Sequence, residues 1–241
     1  MPVRRWDQLG DDMNIQGLQK MTLLDFPGRV ACTVFLGGCN FRCPFCHNFG
    51  LAIGDFDTTM PEEDFFAFLD TRKGLLDGVA ITGGEPCLRK DLAEFLEKVK
   101  QAGFDVKLDT NGSKPDMLED LVMKHLVDYV AMDIKASRAN YAKAVGTDLD
   151  LSAIENSVEL LMSGTVPYEF RTTVVKGIHT EEDFEDIAQW ISGAKQYFLQ
   201  PFAAADIVPD KSLDTPSAEQ LEKYLSVVSP FVGFVGIRGL D

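Results

Sequence analysis

Short apolar runs alternate with segments of helical period along most of the chain. Each run is rich in β-branched and aromatic residues, which predicts a strand. The seven predicted strands are VACTVFLGG (from Val30), GVAITGG (Gly78), DVKLDTNG (Asp105), VDYVAMDIK (Val127), YEFRTTVV (Tyr168), QYFLQPF (Gln196) and FVGFVGIRG (Phe231). Strands that alternate with helices imply right-handed βαβ units and a parallel sheet. Six units without a break in composition predict an α/β fold, an open partial (βα)6 barrel of TIM-like type.

Apolar side chains recur at helical spacing between the strands. Three amphipathic faces are predicted, namely Leu92, Phe95, Leu96 and Val99; Phe184, Ile187, Ala188 and Ile191; and Leu221, Tyr224, Leu225 and Val228. Gly103 is suited to end the first of these helices. Thr59 with Glu62 predicts a capping box for a helix that runs to about Arg72 with Pro61 in its first turn, and Ser152 with Glu155 predicts a second box.

Length and composition favour one globular domain. The chain has 241 residues, of which 45% are hydrophobic and 25% charged. We expect a polar tail over residues 1–14 and a single domain over residues 15–241. The first twelve residues lack the apolar run of a signal peptide, and no stretch reaches the ~18 apolar residues of a membrane span, so a cytoplasmic location is expected.

Charge and cysteine content narrow the class of function. The net charge of -15 works against contact with nucleic acid or an anionic membrane, so neither is expected as a partner. The chain has five cysteines, three of them within the eight residues from Cys39 to Cys46. An odd, clustered set in a reducing compartment predicts a metal or redox site rather than disulfides.

Polar groups stand at the carboxyl ends of successive predicted strands, where sites of parallel α/β proteins lie. The first strand is followed by the three cysteines. Later strands end with or carry Gly83, Gly84 and Glu85; Asp109 and Thr110; Asp133 and Lys135; Arg171; and Gln200. Each motif alone is typical of a turn or a solvated charge pair. Their shared position at one rim favours a functional site.

Three interpretations of the cysteine cluster compete. CPFCH spells a haem attachment site, but haem attachment belongs to exported chains and would leave Cys39 without a role. Structural zinc requires a fourth ligand, and no second CxxC or HxxxH pair is present. An iron–sulfur cluster with three protein thiolates leaves one iron open to a ligand. Cys87 is a conceivable fourth ligand, although it and Cys32 are better explained as small buried hydrophobic residues.

The spacing CxxxCxxC after the first strand, with GGEP after the second, resembles the radical S-adenosylmethionine (SAM) superfamily. The segments LLDFPGRVACTVFLGGCNFRCPFCHN, DTNG and MDIK resemble the activating enzymes of glycyl radical enzymes, best the longer type that activates anaerobic ribonucleoside-triphosphate reductase. The resemblance implies one 4Fe-4S cluster on Cys39, Cys43 and Cys46, with SAM on the open iron. It also implies a large glycyl radical enzyme as partner and a low-potential electron donor such as flavodoxin or ferredoxin.

Further roles are implied residue by residue. Gly83, Gly84 and Glu85 match the segment beside the methionine part of SAM, with Glu85 near its ammonium group. Asp133, Lys135 and Arg171 match positions that bind SAM or lie near it. Phe45 and His47 match residues packed near the adenine, and Asp109 with Thr110 matches a monovalent cation site of some activating enzymes.

Two alternatives within the superfamily stay open. Pyruvate formate-lyase activating enzyme has a histidine after the sixth strand. In this chain the corresponding segment, QPFAAAD, contains Gln200 and no histidine, which disfavours pyruvate formate-lyase as the partner. A compact enzyme acting on a small molecule, like 7-carboxy-7-deazaguanine synthase, would share the cysteine motif. The DFPG segment favours the activating enzyme. An iron–sulfur or zinc module without turnover is the non-enzymatic alternative.

Overall fold

The structure, a computed structural model, describes residues 14–55 and 59–239. These residues form two compact units. The first unit comprises residues 14–40, 48–55, 59–110 and 116–130, and the second comprises residues 41–47, 111–115 and 131–239. Most of the predicted tail lies outside the described residues, so the division into a tail and one domain stays a prediction.

The first unit is built on a sheet with helices between its parallel strands. Its elements are β1 (Asn14–Ile15), β2 (Gly17–Thr22), β3 (Ala31–Leu36), α1 (Phe49–Ile53), β4 (Met60–Pro61), α2 (Glu62–Asp70), β5 (Gly78–Gly83), a 3-10 turn (Pro86–Leu88), α3 (Leu92–Gln101) and β6 (Asp105–Thr110). Strands β3, β5 and β6 are parallel, β2 pairs antiparallel with β3, and β1 pairs antiparallel with β4. Leu36 pairs with Gly83, so β3 and β5 end at the same level.

The second unit repeats the alternation. Helix α4 (Pro115–Met123) and strand β7 (Tyr129–Asp133) extend across the boundaries between the units' residue ranges, and α5 (Tyr141–Val145), α6 (Leu151–Met162), β8 (Tyr168–Val174), α7 (Glu181–Trp190), β9 (Tyr197–Pro201), α8 (Ala218–Val228) and β10 (Val235–Ile237) follow. Strands β8, β9 and β10 are parallel, with Phe170 opposite Tyr197 and Tyr197 opposite Val235.

All seven predicted strands are present, as β3 and β5 to β10. Strands β3 and β5 to β8 are largely buried on both faces, as in β3, where Ala31, Cys32, Val34 and Leu36 are fully buried, and such continuous apolar runs are typical of parallel strands. Strand β9 is buried at alternate positions, and β10 is only half-buried. The faces predicted on α3, α7 and α8 are buried apart from a partly exposed Leu225. Strand β2 was not predicted because its residues 19–21 are exposed and show no apolar alternation.

Both predicted capping boxes are wrong. Pro61 is the N-cap of α2, because the pairing of β4 with β1 keeps Met60 and Pro61 extended up to the helix, which ends at Asp70. Helix α6 is capped two residues earlier than predicted, since the Asp150 carboxylate accepts a hydrogen bond of 3.0 Å from the Ser152 amide. Residue spacing proposes a capping box, but the backbone before the helix decides which residue caps it.

None of the helices in residues 14–55 and 59–239 combines the length and the apolar character that crossing a membrane requires.

Candidate functional site

The loop that carries Cys43 and Cys46 is held by neighbouring loops of the second unit. The Cys46 amide donates to the Cys43 carbonyl (3.1 Å), which closes a tight turn. The Arg42 amide donates to the Val145 carbonyl (2.8 Å), and the Asp210 amide donates to the Pro44 carbonyl (3.1 Å). The loop is therefore held by backbone hydrogen bonds to the end of α5 and to the segment after β9.

His47 at the end of this loop makes a further contact with the segment after β9. Its Nε2 lies 2.7 Å from the Ala203 carbonyl, and because a carbonyl only accepts, Nε2 carries the proton. Its ring packs 5.4 Å from the ring of Phe202. His47 therefore orients the end of the cysteine loop through its own hydrogen bond.

The Cys43 thiol is buried, and charged groups of both signs, Lys135 and Asp133, act on it. Burial raises its pKa to about 11, although the positive charge of Lys135 acts to lower it. The thiol is therefore protonated without a metal, and binding of iron has to displace the proton. A buried sulfur beside an ammonium group fits a thiolate ligand of an iron–sulfur cluster, whose charge Lys135 would help to balance.

Asp133 at the end of β7 forms ion pairs with both Lys135 and Arg171, the two cations that the resemblance assigned to SAM binding. Its Oδ2 accepts from Nζ of Lys135 (2.9 Å) and its Oδ1 from Nε of Arg171 (3.0 Å). Burial acts to raise the pKa of Asp133, but the charges of Arg171 and Lys135 outweigh it and lower the pKa to about 2. Three of the predicted residues thus form one ionised cluster within the second unit.

A buried histidine that the sequence analysis did not single out fixes the backbone beside this cluster. The Val175 amide donates to Nδ1 of His179 (3.0 Å), so Nε2 carries the proton and donates to the Lys135 carbonyl (2.8 Å). Burial lowers the pKa of His179, which favours the neutral ring. The ring of Phe45 meets that of His179 edge-on at 6.3 Å. His179 thus contacts both the cysteine loop and the Lys135 segment.

Cys39 belongs to the first unit, at the end of β3. The Gly38 and Cys39 amides donate to the carbonyls of Leu51 (2.8 Å) and Ala52 (3.2 Å) in α1. The Glu85 amide donates to the Gly38 carbonyl (2.8 Å), which ties the end of β3 to the GGEP segment. The cysteine is buried and its backbone is fixed by neighbours on both sides.

Gly83 and Gly84 allow the backbones after β3 and β5 to touch. A Cβ at Gly83, whose φ is +128°, would lie 2.1 Å from the Leu36 carbonyl oxygen, and a Cβ at Gly84 would lie 2.0 Å from that of Gly38. Neither position has room for a side chain. The glycines are therefore required for packing, independently of the approach to SAM that the resemblance implies.

Glu85 is a buried carboxylate with protein partners. Its Oε1 accepts from the Thr110 hydroxyl (2.8 Å) and from the Cys87 amide (3.0 Å). The predicted residues Glu85 and Thr110 therefore contact each other across 25 positions of sequence. Cys87 and Cys32 are buried, as expected, and burial raises the pKa of both thiols.

Asp109, predicted as a cation ligand, is paired with a cation of the chain itself. Nζ of Lys107 lies 2.5 Å from Oδ1 of Asp109. The sequence carried a signal for this pair, because residues two apart on a strand share a face.

Within the part of the chain that the structure describes, no three or more His, Cys, Asp or Glu side chains gather closely enough to hold a metal ion. The assignment of Cys39, Cys43 and Cys46 to one cluster therefore stays a prediction, as do the SAM contacts.

Comparison with known proteins agrees with these motifs. The sequence model of the Radical SAM superfamily matches residues 33–191. A protein of Methanocaldococcus jannaschii with the provisional name glycyl-radical enzyme activating enzyme MJ1227 is 32% identical over 234 residues, which cover 94% of this chain and 96% of that protein.

Many solved structures share the fold. A domain of the pyruvate-formate lyase-activating enzyme from Bacteroides vulgatus superposes with a TM-score of 0.55 at 19% identity, over 67% of this chain and 99% of that domain. Streptococcus suis SuiB bound to S-adenosylmethionine gives a TM-score of 0.66 at 13% identity, over 86% of this chain and 52% of SuiB. These likenesses confirm the predicted fold class, an α/β chain of the partial TIM-like type.

Proposed function

We propose, since the chain belongs to the radical SAM superfamily, that it is an activating enzyme that generates a glycyl radical on a partner enzyme. The observation that carries this proposal is the M. jannaschii relative, whose name describes an activating enzyme and which matches almost the whole of both chains.

The superfamily implies a 4Fe-4S cluster and SAM, and the kinds of side chain predicted for the site, thiols for iron and charged groups for SAM, suit both. Cys39, Cys43 and Cys46 would hold the cluster through their thiolates. The bound cluster and SAM would supply an electron and the 5′-deoxyadenosyl radical that takes hydrogen from a glycine Cα. The chain itself has to bind and orient SAM and the glycine-bearing loop of the partner, and to exclude water from them.

The ionised cluster at the end of β7 suits the orientation of SAM. The Lys135 ammonium would be a partner for the SAM carboxylate. Asp133 keeps this ammonium charged and in place, and Arg171 in turn contacts Asp133. His179 fixes the Lys135 backbone through a hydrogen bond to its carbonyl, and Asp133 holds the ammonium group itself. Phe45 and His47 would pack near the adenine.

The end of β5 would receive the methionine part of SAM. Gly83 and Gly84 would border it, and the Glu85 carboxylate would face its ammonium group. The hydrogen bonds that Glu85 accepts from Thr110 and Cys87 fix the position of its Oε1 atom.

For the partner we propose an anaerobic ribonucleoside-triphosphate reductase, with flavodoxin or ferredoxin as electron donor in the cytoplasm. Gln200, in place of a histidine after β9, supports this partner over pyruvate formate-lyase, and the DFPG segment supports an activating enzyme over an enzyme that acts on a small molecule.

The first experiment tests the radical SAM chemistry. Anaerobically reconstituted protein is reduced with dithionite in the presence of SAM, and 5′-deoxyadenosine is measured by chromatography. Cys43→Ala should lose both the cluster absorbance and the product. Cys32→Ala, which changes a fully buried thiol in β3, is the matched control and should keep both. Product formation by Cys43→Ala would contradict the ligand assignment.

The second experiment tests the substrate. Reduced protein, SAM and the anaerobic reductase of the source organism are combined, and electron paramagnetic resonance is used to detect a glycyl doublet. Replacement of the partner's radical glycine by alanine should abolish the signal. Product formation without a doublet on any glycyl radical enzyme of that organism would instead favour a small-molecule substrate.

A further inference from the structure

A buried ion pair occupies the place on β6 where the resemblance implies a monovalent cation. Lys107 and Asp109 are two residues apart on the strand, so their side chains share one face. Nζ of Lys107 lies 2.5 Å from Oδ1 of Asp109, and the two side chains are only 3% and 18% exposed. The Asp109 carboxylate thus already has a positive charge at contact distance.

The second implied ligand is directed elsewhere. Thr110 follows Asp109, and neighbouring residues of a strand face opposite sides. Its hydroxyl donates to Oε1 of Glu85 at 2.8 Å. The Asp109 carboxylate thus faces the Lys107 ammonium, and the Thr110 hydroxyl faces the Glu85 carboxylate. Arranged in this way, Asp109 and Thr110 are poor ligands for Na⁺ or K⁺.

We propose that the Lys107 ammonium takes the place of the monovalent cation at Asp109, so that this chain needs neither Na⁺ nor K⁺ at that position. The relevance to SAM rests on the proposed function, but the charge argument does not. An ammonium group carries the same unit charge as Na⁺ or K⁺. It donates a hydrogen bond to the carboxylate oxygen that such an ion would contact. A second cation on this carboxylate would lie within a few ångströms of the ammonium, where repulsion in a poorly solvated site is strong. The tethered cation stays in place at any salt concentration.

The decisive measurement is the midpoint of thermal unfolding, Tm, at constant ionic strength while tetramethylammonium chloride is replaced by KCl or NaCl. The wild-type Tm should be the same throughout. Lys107→Met keeps a similar side-chain length but leaves Asp109 without its ammonium. Its Tm should rise by about 4 °C when K⁺ or Na⁺ is in about tenfold excess over the dissociation constant.

Lys100→Met is the matched control. Lys100 pairs with two aspartates of the first unit, Asp128 at 2.6 Å and Asp105 at 3.9 Å, but all three side chains are partly exposed to water. Its Tm should fall without any specific response to K⁺ or Na⁺. If Lys107→Met does not fold, the double variant Lys107→Met/Asp109→Asn removes both charges and should fold without needing either ion.

A wild-type Tm that rises specifically with K⁺ or Na⁺ would overturn the proposal, and so would a folded Lys107→Met protein that ignores both ions. A parallel series measures SAM binding by equilibrium dialysis and 5′-deoxyadenosine formation. We expect both to be independent of these ions in wild type and to depend on them in Lys107→Met. Absence of SAM cleavage in every salt would refute the proposed function, while the Tm series would still decide the role of Lys107.

Discussion

Replacement of Gly84 by alanine should damage both the fold and the cysteine site. An ideal Cβ at Gly84 would lie 2.0 Å from the Gly38 oxygen, 2.6 Å from its carbonyl carbon and 3.3 Å from Cβ of Cys39. Both close contacts are with backbone atoms, which cannot rotate away. Gly38 and Cys39 would have to move by about 1 Å to restore ordinary contact distances.

The cost can be worked out from two contributions. Forcing extra volume into a packed site costs about 1–3 kcal/mol. Displacing the Gly38 carbonyl also weakens its hydrogen bond from the Glu85 amide, which is 2.8 Å long and contributes about 1 kcal/mol. We expect Gly84→Ala to lower the free energy of unfolding by about 3 kcal/mol.

Urea titration of the iron-free protein measures this loss, and iron content after anaerobic reconstitution measures the effect on the site. Gly17→Ala is the matched control, because a Cβ at Gly17 would lie 3.4 Å from the Phe35 side chain, an ordinary contact. It should be as stable as wild type and bind iron normally. A Gly84→Ala protein that matches wild type in both measurements would refute the reasoning.

Three further predictions concern the supporting structure. Ser217→Ala removes the side chain that caps α8 and should lower the free energy of unfolding by about 1 kcal/mol in urea titration, with unchanged SAM affinity. The Tyr197 hydroxyl donates to Thr172 (2.6 Å), whose hydroxyl donates to the Ile134 carbonyl (2.7 Å). Thr172→Val should therefore cost more than Tyr197→Phe, because it removes both the acceptor of the Tyr197 hydroxyl and a donor to the Ile134 carbonyl, and equal losses in urea would contradict this account. Burial acts to raise the pKa of Asp183, but hydrogen bonds from Ser137, Asn140 and Thr180 outweigh it and hold the pKa below 3.8. The ionised carboxylate thus stabilises the fold above that pH and loses its contribution as the pH falls through the lowered pKa, so Asp183→Asn should flatten the stability profile on the acid side of about pH 4, and an unchanged slope would show that Asp183 does not titrate as stated.

The sequence by itself determined the order of strands and helices and most of the buried faces. Burial on both sides of a parallel strand leaves a continuous apolar run such as the one in β3, and a helix packed on one side leaves a 3.6-residue period such as the one in α7. The motif CxxxCxxC after β3 pointed to the family, because its spacing is a property of residues close together in sequence. These features depend on local spacing.

Only the tertiary structure decided which polar groups meet. Thr110 contacts Glu85 across 25 positions and Arg171 contacts Asp133 across 38, distances that sheet register bridges and sequence periodicity does not record. The same holds for β2, whose polar residues gain strand structure from pairing with β3. Lys107 is close to Asp109 in sequence, yet only burial by its surroundings makes their ion pair a fixed charge within the fold. Long-range packing therefore determined the electrostatics of the site, whereas local pattern determined its scaffold.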